Sequence, residues 1–158
     1  MKKLAANYVV AESGEFLKNG ILIAEDDGAV LEYIDTHGQL EEMAQLVFYN
    51  GILMPSFQFK RLHSSVTYSD FDSRLSSSLL AGMEGKQEIS LAEWLGTCKK
   101  VQEYFPDMPV TEIFRMVTDL FIAEGGFQKE ISPGIYLLTG SDLGILKLTP
   151  NTRLKRIL

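Results

Sequence analysis

The sequence is poor in the residues that most often build disulfide frameworks and metal sites, and it has no long apolar run. Its 158 residues include one cysteine, Cys98, and two histidines. A single cysteine excludes an intrachain disulfide framework and is typical of a reducing compartment. No apolar run approaches the roughly 20 residues that a membrane helix needs. Asn7 and Glu12 also interrupt any apolar segment behind the basic start, so the sequence predicts a soluble, cytoplasmic protein without a membrane partner.

Positive charge is scarce as well. The formal net charge is −6, which argues against nucleic acid as a partner because phosphate binding needs a basic face. The one basic cluster, Arg153 with Lys155 and Arg156, alternates with apolar residues and favours the solvated face of a terminal strand. A hydrophobic content of 46% and a charged content of 23% are typical of a globular domain.

The first third of the chain carries strand patterns. An Asp27-Gly28 pair between two apolar runs predicts a hairpin, since glycine adopts positive φ without strain. Gln39–Gln45 is predicted to form one short helical turn. The predicted strands are Leu4–Val10, Ile21–Ala24, Ala29–Ile34 and Val47–Met54, the last broken near Asn50-Gly51.

Two helices follow a serine-rich stretch that predicts only a loop or a weak helix. Ser90 and Glu93 form a capping box. Apolar residues then recur at helical spacing, which indicates one buried face; they are Leu91, Trp94, Leu95, Cys98, Val101 and Phe105. After a turn with Pro106 and Pro109, a second stripe comprises Ile113, Phe114, Val117, Leu120 and Phe121. The short connection predicts an antiparallel pair.

The tail returns to strands, predicted at 134–138, 144–148 and 153–158. Strands, then helices, then strands favour an α+β fold. We expect one compact unit, a small β-sandwich-like domain built from the N- and C-terminal strands with the helix pair inserted between them. Its parts are an N-terminal β part at 1–57, a loop or weak helix at 58–89, the helix pair at 90–126 and a C-terminal β part at 133–158.

Three segments in order give the chain a family likeness. The run from Phe48 through Pro55-Ser56-Phe57 resembles the strand that leads into the barrel of the amidohydrolase superfamily, the metal-dependent deaminases and chlorohydrolases. Residues 1–57 are similar to the first part of the small β domain that flanks the barrel. Residues 90–123 resemble the final helices, and residues 133–158 resemble the returning strands of the flanking domain.

The resemblance also marks what is missing. Where the family has a His-x-His metal pair, this chain has Arg61 and His63. Asp72, in Asp72-Ser73-Arg74, stands at the position of the family's metal-binding or proton-shuttling aspartate. A (β/α)₈ barrel alone needs about 250 residues, so no barrel can close here. The resemblance therefore implies a flanking domain with its last helices and without most metal ligands.

Other chemistries lack their signatures. A catalytic zinc site needs about three protein ligands, and His63 with Asp72 supplies two. His37 is predicted to be a turn residue, and Cys98 a buried small hydrophobe. No Gly-x-Ser-x-Gly elbow accompanies the serines, and Gly125-Gly126 lacks the lysine of a phosphate-binding loop.

These patterns lead to a hypothesis with one main rival. The first reading is a non-catalytic remnant of an amidohydrolase-like protein without a cofactor, acting as a structural or interaction domain. Such a domain is predicted to self-associate or to bind another protein, because contiguous exposed apolar surface usually becomes an interface. The alternative is a reduced metal-dependent hydrolase of C–N bonds that uses His63, Asp72 and Arg61, alone or with a partner subunit. A small-molecule binding module near Asp72 is a third possibility.

Overall fold

The structure, a computed structural model, describes residues 1–11, 13–55, 91–123 and 134–158, with backbone only for 118–123. Seven strands and two helices lie in these ranges. They are β1 (Lys2–Val10), β2 (Phe16–Lys18), β3 (Ile21–Ala24), β4 (Val30–Ile34), β5 (Leu46–Pro55), α1 (Leu91–Tyr104), α2 (Val110–Ala123), β6 (Ile135–Thr139) and β7 (Arg153–Arg156).

All seven strands belong to one sheet. Its order is β4-β3-β1-β5-β6-β7, and β2 pairs with β1 beside β3. The β1–β5 pair is parallel and the other pairs are antiparallel. The predicted α+β class is confirmed, and strands from both ends of the chain share a sheet. A second sheet facing the first, as a sandwich requires, is not found among the described strands.

The predicted hairpin between β3 and β4 is confirmed. Gly28 has φ +90° and donates its N–H to the Glu25 carbonyl at 3.0 Å. Asp27 Oδ1 accepts from the Ala29 N–H at 2.9 Å. Glycine adopts this φ without the steric cost of a Cβ, so the Asp-Gly pair determines where the chain reverses.

An irregularity crosses the middle of the sheet at Asn7. In the β1–β5 register, Asn7 lies opposite two residues, Asn50 and Gly51. Such a two-against-one arrangement bends the strands and interrupts the alternation of side chains between the two faces of the sheet. Leu4, Ala6 and Val9 consequently contact the same apolar cluster, although strict alternation would place Val9 on the other face.

The sheet has an apolar cluster on each face. The helix-side core joins the helices to one face of the sheet; its buried members are Val10, Ile52, Met54, Trp94, Leu95, Cys98, Val101, Val110, Ile113, Phe114, Met116, Val117, Leu138 and Leu148. The opposite-face core contains Leu4, Ala6, Val9, Leu17, Leu22, Ala24, Leu53, Ile135 and Leu137. Two buried faces explain why β5 ends in the continuous apolar run Ile52–Met54.

The helices bury the faces that their periodicity predicts. On α1, Trp94, Leu95, Cys98 and Val101 are buried, and the Trp94 ring lies 4.9 Å from that of Phe114 on α2. Ile113, Phe114 and Val117 are buried on α2. The predicted cap at Ser90 lies outside the described residues, as do the side chains of Leu120 and Phe121 and the segment 58–89.

Two predicted elements are wrong. Residues 144–148 do not form a strand: Asp142 and Lys147 form an isolated bridge around a four-residue loop, because Asp142 Oδ1 accepts from the N–H of Gly144 at 3.0 Å and turns the chain. Residues 39–45 do not form a helical turn. That segment ends in a tight turn in which Leu46 N–H donates to the Met43 carbonyl at 3.2 Å.

Candidate functional site

The residues to which the family resemblance assigns chemistry cannot be located in the fold. Arg61, His63 and Asp72 lie outside the described residues, and so does Gly125-Gly126. Within the described ranges, no three His, Cys, Asp or Glu side chains are placed to hold a metal ion. The roles of Arg61, His63 and Asp72 therefore stay predictions.

His37 is a turn residue, as predicted. It has φ +54°, and its N–H donates to Asp35 Oδ1 at 2.8 Å. Its Nδ1 lies 3.6 Å from Asp35 Oδ2, and the side chain is 87% exposed. This arrangement closes the turn after β4 and leaves the imidazole in solvent, where it has one carboxylate neighbour among the described residues.

Cys98 is buried in the helix-side core, as predicted. Burial raises the pKa of its thiol well above the ordinary value. A nucleophilic cysteine needs access and a stabilised thiolate, and Cys98 has the opposite environment. Its role is packing between α1 and the sheet.

A shallow groove of about 240 Å³ lies between the end of α1 and the chain that follows Lys147. Its floor is held by Gln102, a buried side chain whose Nε2 donates to the Phe105 carbonyl at 3.0 Å and to the Met108 carbonyl at 3.2 Å. Gln102 Oε1 accepts from the buried Leu148 N–H at 3.3 Å. One side chain thus joins α1, the interhelical turn and the 142–152 segment.

The two ammonium groups at this groove contact the protein itself. Lys99 Nζ donates to the Pro150 carbonyl at 3.2 Å, and Lys147 Nζ lies 3.9 Å from Asp107 Oδ1. Binding pockets for small molecules usually exceed about 300 Å³ and bring several unengaged polar groups together. The groove is better explained as the seam where the 142–152 segment packs on α1.

The first half of β5 forms an open sheet edge. Residues 46–49 pair with β1 on one side, whereas the pairing with β6 on the other side begins only at Ile52. No described strand occupies the outer side of Leu46–Asn50. Val47 is 48% exposed and Phe48 is 46% exposed. Exposed backbone donors and acceptors beside apolar side chains are a template for pairing with another strand. We call Leu46–Asn50 the β5 edge.

β6 does not line the β5 edge because β6 leaves the sheet early. β6 ends at Thr139, and Gly140 follows with φ +80°. The Gly140 carbonyl accepts from Thr149 Oγ1 at 2.5 Å, and the hydroxyls of Ser141 and Thr152 lie 3.1 Å apart. A Cβ at Gly140 would collide with the Asn151 carbonyl. These contacts direct the chain away from β5, so β6 cannot continue along Leu46–Asn50.

Among the described strands, β2, β4 and β7 also pair with one strand only, and each carries charge; β2 reads Phe-Leu-Lys. β4 is lined on one side by β3 alone and has Glu32 at its centre; β7 pairs with β6 alone and reads Arg-Leu-Lys-Arg. Charged side chains on edge strands discourage edge-to-edge pairing. The β5 edge reads Leu-Val-Phe-Tyr-Asn and has none.

Sequence reasoning missed this site, although one signal for it was present. The uncharged run 46–50 predicts a strand, but a central strand and an edge strand of this composition look alike in sequence. The length of β6 and the bend at Gly140 decide that half of β5 has no second neighbour among the described strands.

Comparisons with known proteins identify no relative. No protein-family model matches the chain, and neither the curated proteins nor the solved structures contain a match. Among the described residues, no helix is long and apolar enough to cross a lipid bilayer.

Proposed function

We propose that this chain is a non-catalytic interaction domain that associates with itself through exposed sheet surface. The observation that carries the proposal is the β5 edge, where Val47 and Phe48 are both about half exposed on a strand without an outer neighbour among the described strands. An uncharged apolar edge is a hazard that proteins normally cover. A protein partner is the natural cover.

The described chemistry supports a binding role over a catalytic one. The one cysteine is buried, His37 closes an exposed turn, and the groove beside Gln102 is closed around its own hydrogen bonds. We further propose that the domain descends from the flanking β domain of an amidohydrolase-like protein. The sharing of one sheet by β1–β5 and β6–β7 is consistent with a domain composed of both chain ends.

Sedimentation analysis of the untagged protein at concentrations from about 1 µM to about 1 mM tests the proposal. We expect the average mass to rise with concentration and to fall again on dilution. A protein that stays monomeric at every concentration, and that purifies without a bound partner, would overturn it. Circular dichroism of the same samples serves as the control that any larger species is folded.

A further inference from the structure

We infer that two copies of the chain dimerise by pairing their β5 edges antiparallel, across a twofold axis that passes beside Phe48. This inference rests on the proposed self-association and adds its location and register. It joins the sheets of two molecules into one continuous sheet, with the α1–α2 pairs on the same side of that sheet.

The ends of the pairing segment follow from the fold. On one side, Gln45 has φ +64° and the Met43–Leu46 turn bends the chain away from the strand direction. On the other side, β6 occupies the outer side of β5 from Ile52 onward. Five residues therefore have no described strand on their outer side, and they span about 17 Å at the rise of a strand. The first of them, Leu46, already donates its N–H to Met43.

Length and charge select the β5 edge for self-pairing among the edges without a second described partner. β2 offers only three residues, and β4 and β7 carry charge. If β4 paired antiparallel with its own copy about its centre, Glu32 would lie opposite Glu32. For β7, an axis beside Leu154 would place Arg153 opposite Lys155, and an axis beside Lys155 would place Lys155 opposite its own copy. Like charges directly opposite each other destabilise a pair of strands. The β5 edge meets no such penalty, because none of its five residues is charged.

The absence of charge also favours a second copy over an acidic or basic peptide. Peptides that add a strand to a sheet take their specificity from side-chain pockets and charges beside the edge. At the β5 edge the exposed side chains are apolar, and the best match for them is another apolar strand. In an antiparallel twofold pair, each copy provides that apolar strand to the other, because both partners use the same surface patch.

Symmetry then determines the register. Residues directly opposite in an antiparallel pair present their side chains on the same face. A twofold axis perpendicular to the sheet leaves every side chain on its original face. Opposite residues can then share a face only if the axis passes between a residue and the same residue of the second copy. The middle residue of the five is Phe48. Phe48 therefore lies opposite Phe48, Val47 opposite Tyr49, and Leu46 opposite Asn50.

The predicted dimer is weak. A five-residue strand pair buries less than the roughly 1,200 Å² of a stable interface, so we expect reversible association with a dissociation constant between about 1 µM and 1 mM. The aromatic pair at the axis supplies the best single contact, since aromatic cross-strand pairs are among the most favourable.

A matched pair of variants tests the location. Phe48→Lys places two ammonium groups at the axis and should weaken the dimer at least about tenfold. Leu31→Lys makes the same change at a 52% exposed residue of β4 and should leave the dimer unchanged. Circular dichroism and thermal unfolding check that both variants are folded. If the protein dimerises and Phe48→Lys has no effect, the inference fails while self-association stands.

Disulfide trapping and hydrogen exchange test the register. Opposite residues in antiparallel strands have Cα atoms about 4.5–5.5 Å apart, within the span of a disulfide. Phe48→Cys should form a covalent dimer on oxidation, and Leu31→Cys should not; buried Cys98 does not compete. In the unmodified protein, amides within 47–50 should gain protection as concentration rises; the Leu46 amide already donates to Met43. Dimerisation without added protection at 47–50 would overturn the inference.

Discussion

Asn7 Oδ1 accepts a hydrogen bond from the backbone N–H of Gly51 at 2.7 Å, across 44 positions of sequence. The contact lies at the two-against-one irregularity between β1 and β5. It satisfies a partly buried N–H at that irregularity. The asparagine side chain thereby supplies the β1–β5 hydrogen bond at the point where β5 changes from the β5 edge to a buried central strand.

Removing this acceptor should destabilise the fold. Asn7→Ala leaves the Gly51 N–H without its partner, and we expect a loss of about 1–3 kcal/mol in the free energy of unfolding. Urea unfolding measures it. Equal stability of Asn7→Ala and the unmodified protein would show that the Asn7–Gly51 hydrogen bond does not stabilise the fold.

Two glycine substitutions should change stability in opposite directions. Gly51 has φ +147°, and a Cβ there would collide with the Leu138 carbonyl oxygen. We expect Gly51→Ala to cost more than about 2 kcal/mol, since both backbone strain and β5–β6 pairing are affected.

Gly96 is the matched control for Gly51. It lies within α1 with no atom close to the position of a Cβ. Gly96→Ala should therefore stabilise the protein by about 0.5–1 kcal/mol, the helix-propensity difference between the two residues. Thermal unfolding of both variants gives the comparison. A destabilised Gly96→Ala would mean that α1 packs differently from the structure.

Gln102 should be the most sensitive polar residue of the helices. Gln102→Ala removes three hydrogen bonds that connect α1 to Phe105, Met108 and Leu148. We expect a loss of about 2–4 kcal/mol, because the buried Leu148 N–H loses its acceptor and the partly buried carbonyls of Phe105 and Met108 each lose a donor. Lys100→Ala, at an exposed position two residues earlier, should change the free energy of unfolding by less than about 0.5 kcal/mol. Similar losses in the two variants would contradict this role.

The buried thiol of Cys98 should make the free energy of unfolding decrease at alkaline pH. Because burial raises its pKa above the value of 9.0 for an exposed thiol, the unfolded chain releases this proton at a lower pH than the folded chain. Well below pH 9 both states hold the proton and the thiol adds no pH dependence. As pH rises through 9, the unfolded state binds fewer protons than the folded state and the free energy of unfolding falls.

Cys98→Ala isolates this contribution. The variant should be less stable at neutral pH, because it leaves a cavity in the helix-side core. Its free energy of unfolding should nevertheless fall less steeply than that of the unmodified protein as the pH rises above 9. Urea unfolding at a series of pH values measures both slopes. Parallel curves would show that the thiol does not titrate differently in the two states.

The hydrolase alternative makes a prediction of its own. If His63 and Asp72 held a catalytic cation, untagged protein would purify with one zinc or iron per chain and lose it in His63→Ala. We expect no stoichiometric metal, because two ligands fall short of the three that a catalytic zinc site keeps. Elemental analysis of the unmodified protein and His63→Ala decides between them.

Local patterns determined the elements whose stabilising contacts are close in sequence. Asp27-Gly28 predicts its turn because the φ requirement of the turn is met by glycine itself. The stripe from Trp94 to Val101 predicts α1 because helical spacing brings those residues to one face. The error at 144–148 has the same origin: the apolar run is typical of a strand, but the Asp142 carboxylate and the distant Gln102 hold it as a loop.

Only the tertiary structure decided which strand edges are covered. The sequence predicts one strand at 47–54, yet the second half of β5 is enclosed by β1 and β6 while its first half borders only β1 among the described strands. That difference depends on Gly140 and on contacts to Thr149 and Asn151, which lie about 100 residues further along the chain. Composition establishes that a segment can pair as a strand. Which of its sides is left open depends on long-range neighbours, because backbone hydrogen bonding is the same for every sequence.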